Sequence, residues 1–77
     1  MKAYITIKLF ATLNKYLPAS AEHYAINHGV SVGELLAELQ IPASLAKLIF
    51  INGKKGDSDA LLNDGDRIGI FPPVGGG

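Results

Sequence analysis

Few side chains in this sequence are placed for chemistry. There is no Cys, which removes thiol nucleophiles, thiolate zinc sites and iron–sulfur clusters. The two histidines, His23 and His28, lack acidic or thiol neighbours at ligand spacing, so they read as surface residues and no metal site is expected. Gly53-Lys54-Lys55-Gly56 superficially looks like a phosphate loop but lacks the spacing that lets backbone N–H groups cradle a phosphate ahead of a Lys-Ser/Thr pair. Asp57-Ser58-Asp59 opens like a calcium loop, but Leu61 stands at the next ligand position and no glycine follows; a solvated turn is the better reading. Ser20, Ser31, Ser44 and Ser58 have no evident His partner, and so small a chain leaves little room for a triad in a pocket.

What remains is main chain. The sequence closes Phe71-Pro72-Pro73-Val74-Gly75-Gly76-Gly77. Each proline fixes φ and removes an N–H, so neither can carry a strand ladder onward. Glycine has no side chain, and an extended glycine segment enters a channel too narrow for other residues. The five residues after Pro72 reach about 17 Å at about 3.4 Å per residue. That reach would place the carboxylate of Gly77 inside a partner while the folded body stays outside, with Val74, Gly75 and Gly76 as the inserting segment. A frayed terminus or an expression-tag scar is the plain alternative. The pair of prolines directly after a strand, followed by an unbroken run of glycines, favours the functional reading.

A body must position this tail. Ile5, Ile7 and Leu9 alternate with Tyr4, Thr6, Lys8 and Phe10, which predicts a half-buried strand over 3–10. Residues 11–20, with Leu13, Tyr16 and Leu17 before Pro18, read as a short helical turn or a wide loop. His23 to Asn27 reads as a second short strand. Ser31 and Glu34 have capping-box spacing, and Val30 and Leu35 stand where a hydrophobic staple would close. Val32, Leu35, Leu36 and Leu39 then share one helical face, with Glu34 and Glu38 turned away, until Pro42 stops the helix near Gln40. Residues 47–52 are almost continuously apolar, as for a central strand covered on both sides. Asn52-Gly53 reads as a tight turn, and Asn63-Asp64-Gly65-Asp66 as another. Arg67 to Phe71 is the last strand, with Ile68 and Ile70 inward and Arg67, Gly69 and Phe71 outward.

The chain has 77 residues, enough for one domain, expected over 1–72 with a flexible tail over 73–77. The seven basic and seven acidic side chains balance, which argues against a nucleic-acid partner. No segment reads as a signal peptide or a membrane span, so no membrane partner and a cytoplasmic location are expected. An apolar fraction of 48% supports a real core. One amphipathic helix and a mixed sheet of four to five strands make a two-layer α+β domain, the helix across one face. The element order is that of the β-grasp fold, though other small α+β folds share it.

Leu62-Asn63-Asp64-Gly65-Asp66-Arg67-Ile68-Gly69-Ile70-Phe71 and the Pro-Pro-Val-Gly-Gly-Gly that follows resemble the C-terminal signature of the MoaD/ThiS family of ubiquitin-like sulfur carriers. Phe50-Ile51-Asn52-Gly53 resembles the family's Val-Asn-Gly segment, and Lys8-Leu9-Phe10-Ala11 its first strand. The family normally ends in two glycines after a variable residue; here that residue is Gly75, which adds flexibility. The resemblance implies the β-grasp fold and a carrier that is not itself an enzyme and binds no cofactor. A ubiquitin-activating-type adenylyltransferase (MoeB/ThiF-like), using ATP and Mg, would adenylate Gly77. A sulfide or persulfide donor would convert the acyl-adenylate into a thiocarboxylate. A sulfur-accepting synthase subunit, MoaE-like or a thiazole synthase, would then take the sulfur. The absence of cysteine agrees, because no side chain could hold that sulfur. Phe71-Pro72-Pro73-Val74 resembles the molybdopterin-synthase small subunit more than the thiazole carrier, which favours molybdenum or tungsten cofactor synthesis. The thiazole of thiamine is the runner-up. A protein modifier joined through Gly77 and a plain binding module are the other classes. Phe10 and Phe71 match family partner-binding positions, with Pro72 and Pro73 beside them and Lys8 and Arg67 flanking; that each aromatic merely covers a loop edge stands as the alternative.

Overall fold

The computed structural model describes residues 2–73. Strand β1 (Lys2–Leu9) buries Ala3, Ile5, Ile7 and Leu9 and turns Lys2, Tyr4, Thr6 and Lys8 to the opposite side, as its period-two pattern requires. It stops one residue short of the expected end. Phe10 keeps an extended backbone, but Ala11 swings to φ 53° and opens a 3-10 turn, Ala11–Tyr16, that buries Leu13. A second 3-10 turn, Ala21–His23, leads into β2 (Tyr24–Asn27). β2 pairs antiparallel with β1 from Lys2↔Asn27 to Ile5↔Tyr24.

The helix α1 (Val32–Glu38) starts on the expected capping box. Glu34 N–H donates to Ser31 Oγ at 3.1 Å, and Ser31 N–H donates to Glu34 Oε1 at 2.9 Å. The two N–H groups before them are spent as well: Val32 donates to the Ala60 carbonyl and Gly33 to that of Ser58, both at 2.9 Å. The helix ends sooner than its apolar spacing suggests. Gln40 takes φ 62°, Gln40 N–H donates to the Ala37 carbonyl at 3.1 Å, and Ile41 N–H to the Leu36 carbonyl at 2.9 Å. This paired closure is a Schellman motif. It turns the chain before Pro42 is reached and leaves Leu39 half-buried as the cap.

β3 (Leu48–Ile51) and β4 (Lys54–Gly56) form a hairpin around Asn52 and Gly53, at φ 54° and 83°. A two-residue turn with both φ positive matches the twist of its strands. β5 (Arg67–Phe71) completes a five-stranded sheet of order β2-β1-β5-β3-β4. β1 and β5 are parallel, and every other pair is antiparallel.

The sheet corrects the reading of residues 47–52. β3 is not the central strand; β5 is, flanked by β1 and β3. Nor is β3 covered on both sides: Ile49 is buried, Leu48 is exposed and Phe50 half-buried. The run is apolar because its second face is itself an apolar surface. β4 has no apolar alternation, so periodicity does not reveal it.

Ile5, Ile7, Ile49, Ile68 and Ile70 from the sheet meet Val32, Leu35 and Leu36 of α1 in one core that also holds Leu13, Ile26 and Leu62. Burying each such side chain is worth about 1.5–3 kcal/mol. One helix laid over one face of a mixed sheet in this strand order is the β-grasp fold. Among the described residues no helix is long and apolar enough to cross a membrane.

Candidate partner-docking face

The sheet face away from α1 has no second layer. Its centre is aromatic. Phe10 follows β1, and its N–H still donates to the Ile70 carbonyl at 3.2 Å, which holds it beside the end of β5. The rings of Phe10 and Phe71 stack, with centroids 4.1 Å apart and planes within 1°. Phe50 meets Phe71 edge to face, at 5.8 Å and 85°. Offset and edge-on contacts of this kind add about 0.5–1.5 kcal/mol to the area they bury. Phe10 nevertheless stays 39% exposed and Leu48, opposite Phe71 on β3, 38% exposed. Together they form an apolar surface that the fold does not cover.

Gly69 makes this arrangement possible. It lies in β5 between Lys8 on β1 and Phe50 on β3. A Cβ there would stand 3.4 Å from Cε2 of Phe10. The missing side chain lets the Phe10 ring lie down on the strand and reach Phe71.

Parallel pairing of β1 with β5 brings the two aromatics together, with Leu9 opposite Ile70. Lys8 and Arg67 border the same shallow depression as Phe10, Phe50 and Phe71. β5 ends where the tail begins. Lys47 N–H donates to the Phe71 carbonyl at 2.9 Å; Pro72, half-buried, and Pro73, exposed, follow without N–H groups to extend the ladder. Val74, Gly75, Gly76 and Gly77, the four tail residues read from the sequence, lie outside the described residues.

Phe50, Gly69 and Lys55 belong to this face and are not identified by sequence reasoning. Phe50 carries a signal, being an outward residue in a strand, but it is masked by the unbroken apolar run around it. Lys55 stands opposite Phe50 in the β3–β4 hairpin and so projects to the same side.

The remaining candidates do not gather into a site. His23 and His28 are exposed, and the His23 ring stacks on Tyr4 at 4.1 Å. Among the described residues no group of His, Asp and Glu could hold a metal ion. The amide groups that open α1 are consumed by Ser31 and the 58–60 segment, which leaves no anion site there. On the helix side of the sheet, the Tyr24 hydroxyl donates to Glu38 Oε1. That hydrogen bond, with some burial and the carboxylate charge, raises the Tyr24 pKa to about 12.

The family model of ThiS matches residues 7–77. No curated protein matches the chain. Among solved structures, a protein described as subunit 1 of a molybdopterin converting factor from Pyrococcus furiosus is 25% identical, with a TM-score of 0.62 over 94% of this chain and 99% of that one. A complex of subunits 1 and 2 of the molybdopterin-converting factor of Helicobacter pylori contains a chain 28% identical, with a TM-score of 0.56 and full coverage of both. The thiamine biosynthesis protein ThiS of Geobacter metallireducens, 20% identical with a TM-score of 0.65 over 96% of this chain and 99% of that one, shares the fold. A β-grasp body, an open aromatic face at the end of its last strand and a family match reaching Gly77 lead to one assignment: the chain belongs to the ThiS family of ubiquitin-fold sulfur carriers.

Proposed function

We propose that this chain carries sulfur on the carboxylate of Gly77 and delivers it in molybdopterin synthesis. The observation that carries the reading is the end of β5. Phe71 is fixed by its stack on Phe10 and by the Lys47 hydrogen bond to its carbonyl, and two prolines then direct the chain out of the sheet. A folded body thus offers a docking face and the start of a tail at the same edge.

A carboxylate resists nucleophilic attack because its carbonyl carbon is electron-rich and oxide is a very poor leaving group. A MoeB/ThiF-like adenylyltransferase using ATP and Mg removes both obstacles. A carboxylate oxygen of Gly77 attacks the α-phosphorus of ATP and pyrophosphate leaves. Hydrosulfide then adds to the acyl carbon and AMP leaves, giving the thiocarboxylate and releasing a proton. If a persulfide is the donor, a second thiol must cleave the resulting S–S bond. The chain supplies recognition and the acyl group and is a co-substrate rather than an enzyme. It binds no cofactor of its own.

The segment Phe71-Pro72-Pro73-Val74 and the likeness to two molybdopterin converting factor chains support a MoaE-like large subunit as sulfur acceptor. The family model's own name supports the alternative, a carrier for the thiamine thiazole. Protein modification through Gly77 shares the acyl-adenylate and differs only in the nucleophile.

Intact mass spectrometry after incubation with the adenylyltransferase, ATP, Mg and sulfide tests the reading. Replacement of one oxygen by sulfur is the expected result, lost on deletion of Gly76 and Gly77. A much larger adduct would mark a modifier instead, and an unchanged mass a plain binding module. Consumption of the thiocarboxylate by a molybdopterin synthase large subunit, and not by a thiazole synthase, is expected next.

A further inference from the structure

Charge is segregated across the sheet, although the chain is neutral. Register places Lys8, Gly69, Phe50 and Lys55 in one row across four strands, so all four project to the open face. Arg67, two residues before Gly69 on β5, projects there as well. No Asp or Glu occupies an outward position on β1, β3, β4 or β5. Acidic residues lie elsewhere: Glu34 and Glu38 on α1, Asp57 and Asp59 in the segment after β4, Asp64 and Asp66 in the turn before β5.

We infer that this face docks on a protein surface that is apolar at its centre and acidic at its rim, with Lys8, Lys55 and Arg67 framing the Phe10–Phe71–Phe50 cluster. The inference rests on the carrier reading and names the kind of surface its activating enzyme presents. Rim charges of one sign steer an oppositely charged partner and fix its orientation, while the desolvated aromatic centre supplies most of the affinity. The lysine stems can lie along the neighbouring rings and keep their ammonium groups at the edge.

A nucleic acid would also meet cations and aromatics, but the geometry disfavours it. Phe10 and Phe71 are stacked on each other, and the Phe10 ring also lies against Gly69. Their faces are therefore spent, where a base platform needs free ones.

The test uses the full chain and a purified activating-type adenylyltransferase that charges it, read by ATP–pyrophosphate exchange. Reversal of the frame (Lys8→Glu, Lys55→Glu, Arg67→Glu) is expected to raise the KM for the carrier about tenfold or more at low ionic strength, with kcat within about twofold, because rim charges act on encounter. The salt dependence of KM should flatten in the same variant. Lys2→Glu, at the far end of β1 and about 20 Å from Lys8 at about 3.3 Å per residue, should leave KM unchanged. The Gln-substituted triple variant repeats the measurement with less perturbation should the reversed one fold poorly. An unmoved KM in both triple variants would overturn the inference while leaving the carrier reading intact. Exchange that persists without Gly76 and Gly77 would overturn the carrier reading and this inference with it. Binding of a mixed-sequence single-stranded RNA in a fluorescence anisotropy titration, abolished by the reversal, would overturn it in favour of nucleic acid.

Discussion

Asn52 donates its main-chain N–H to the carbonyl of Arg67 at 2.8 Å and accepts the Arg67 N–H on its own side-chain Oδ1 at 2.9 Å. Its Nδ2 reaches Asp66 Oδ1, also at 2.9 Å, and Asp66 Oδ2 takes the Asn63 N–H at 2.8 Å. One side chain thus ties the β3–β4 turn to the start of β5, at a residue with φ 54°. Asn52→Ala removes two hydrogen bonds, worth about 1 kcal/mol each, and puts a Cβ-bearing residue with no local hydrogen bonding in left-handed backbone, a further cost of about 1–2 kcal/mol. The urea midpoint should fall in the order wild type, Asn52→Gly, Asn52→Ala. Equal loss in both variants would show that the backbone conformation contributes nothing.

Ser31 holds only one of the amide groups that open α1. Ser31→Ala should cost about 1 kcal/mol, the usual cap effect. Its signature in amide hydrogen exchange should be local. Glu34 N–H loses protection because its acceptor was Ser31 Oγ. Val32 and Gly33 N–H keep theirs because Ala60 and Ser58 carbonyls hold them. Uniform loss across all three would mean that the cap governs the whole docking of the helix.

Local signals in the sequence were strong where a single residue pair decides the outcome. Ser31 with Glu34 announces the helix start, and Asn52-Gly53 the hairpin. The alternation of Ile5, Ile7 and Leu9 announces a strand with one buried face. The helix end was harder to read, because the left-handed cap is Gln40 and not glycine. β4 is Lys-Lys-Gly and carries no period at all. The strand at 48–51 misled because an apolar run has two possible causes, cover on both sides or an open apolar face, and composition does not separate them. At the site, Phe10, Phe71, Lys8 and Arg67 were legible as outward residues of single strands. Phe50, Gly69 and Lys55 join them only through the register of β5 with β3 and of β3 with β4. That register joins residues far apart in the chain and has no local mark.

Tyr24 gives the fold a dependence on alkaline pH. Its hydroxyl donates to Glu38, and its pKa stands at about 12 in the folded chain against the ordinary 10.0. The neutral phenol is therefore favoured by folding. This contribution is fully present below pH 10 and is lost as the pH rises through about 12. Lysines titrate in the same window, so the informative quantity is a difference. The stability gap between wild type and Tyr24→Phe, from urea midpoints, should be constant below pH 10 and shrink between pH 10 and 12. A gap that widened there would reverse the assignment of the hydrogen bond.

Gly69 and Phe10 should behave as one unit in partner binding. Valine suits the extended backbone of β5 and raises strand propensity, on a scale spanning about 1 kcal/mol, so Gly69→Val should fold with little change in its urea midpoint. Its side chain, however, begins 3.4 Å from Phe10 Cε2 and extends into the space that ring occupies. The ring must lift, and the stack on Phe71 is lost. The KM for the carrier in adenylation is expected to rise about tenfold, equivalent to about 1.4 kcal/mol, and Phe10→Ala should cause a similar rise. The double variant should be scarcely worse than either single one, since the second change removes what the first has already displaced. Effects that add in full would mean that Gly69 touches the partner itself and does not act through Phe10.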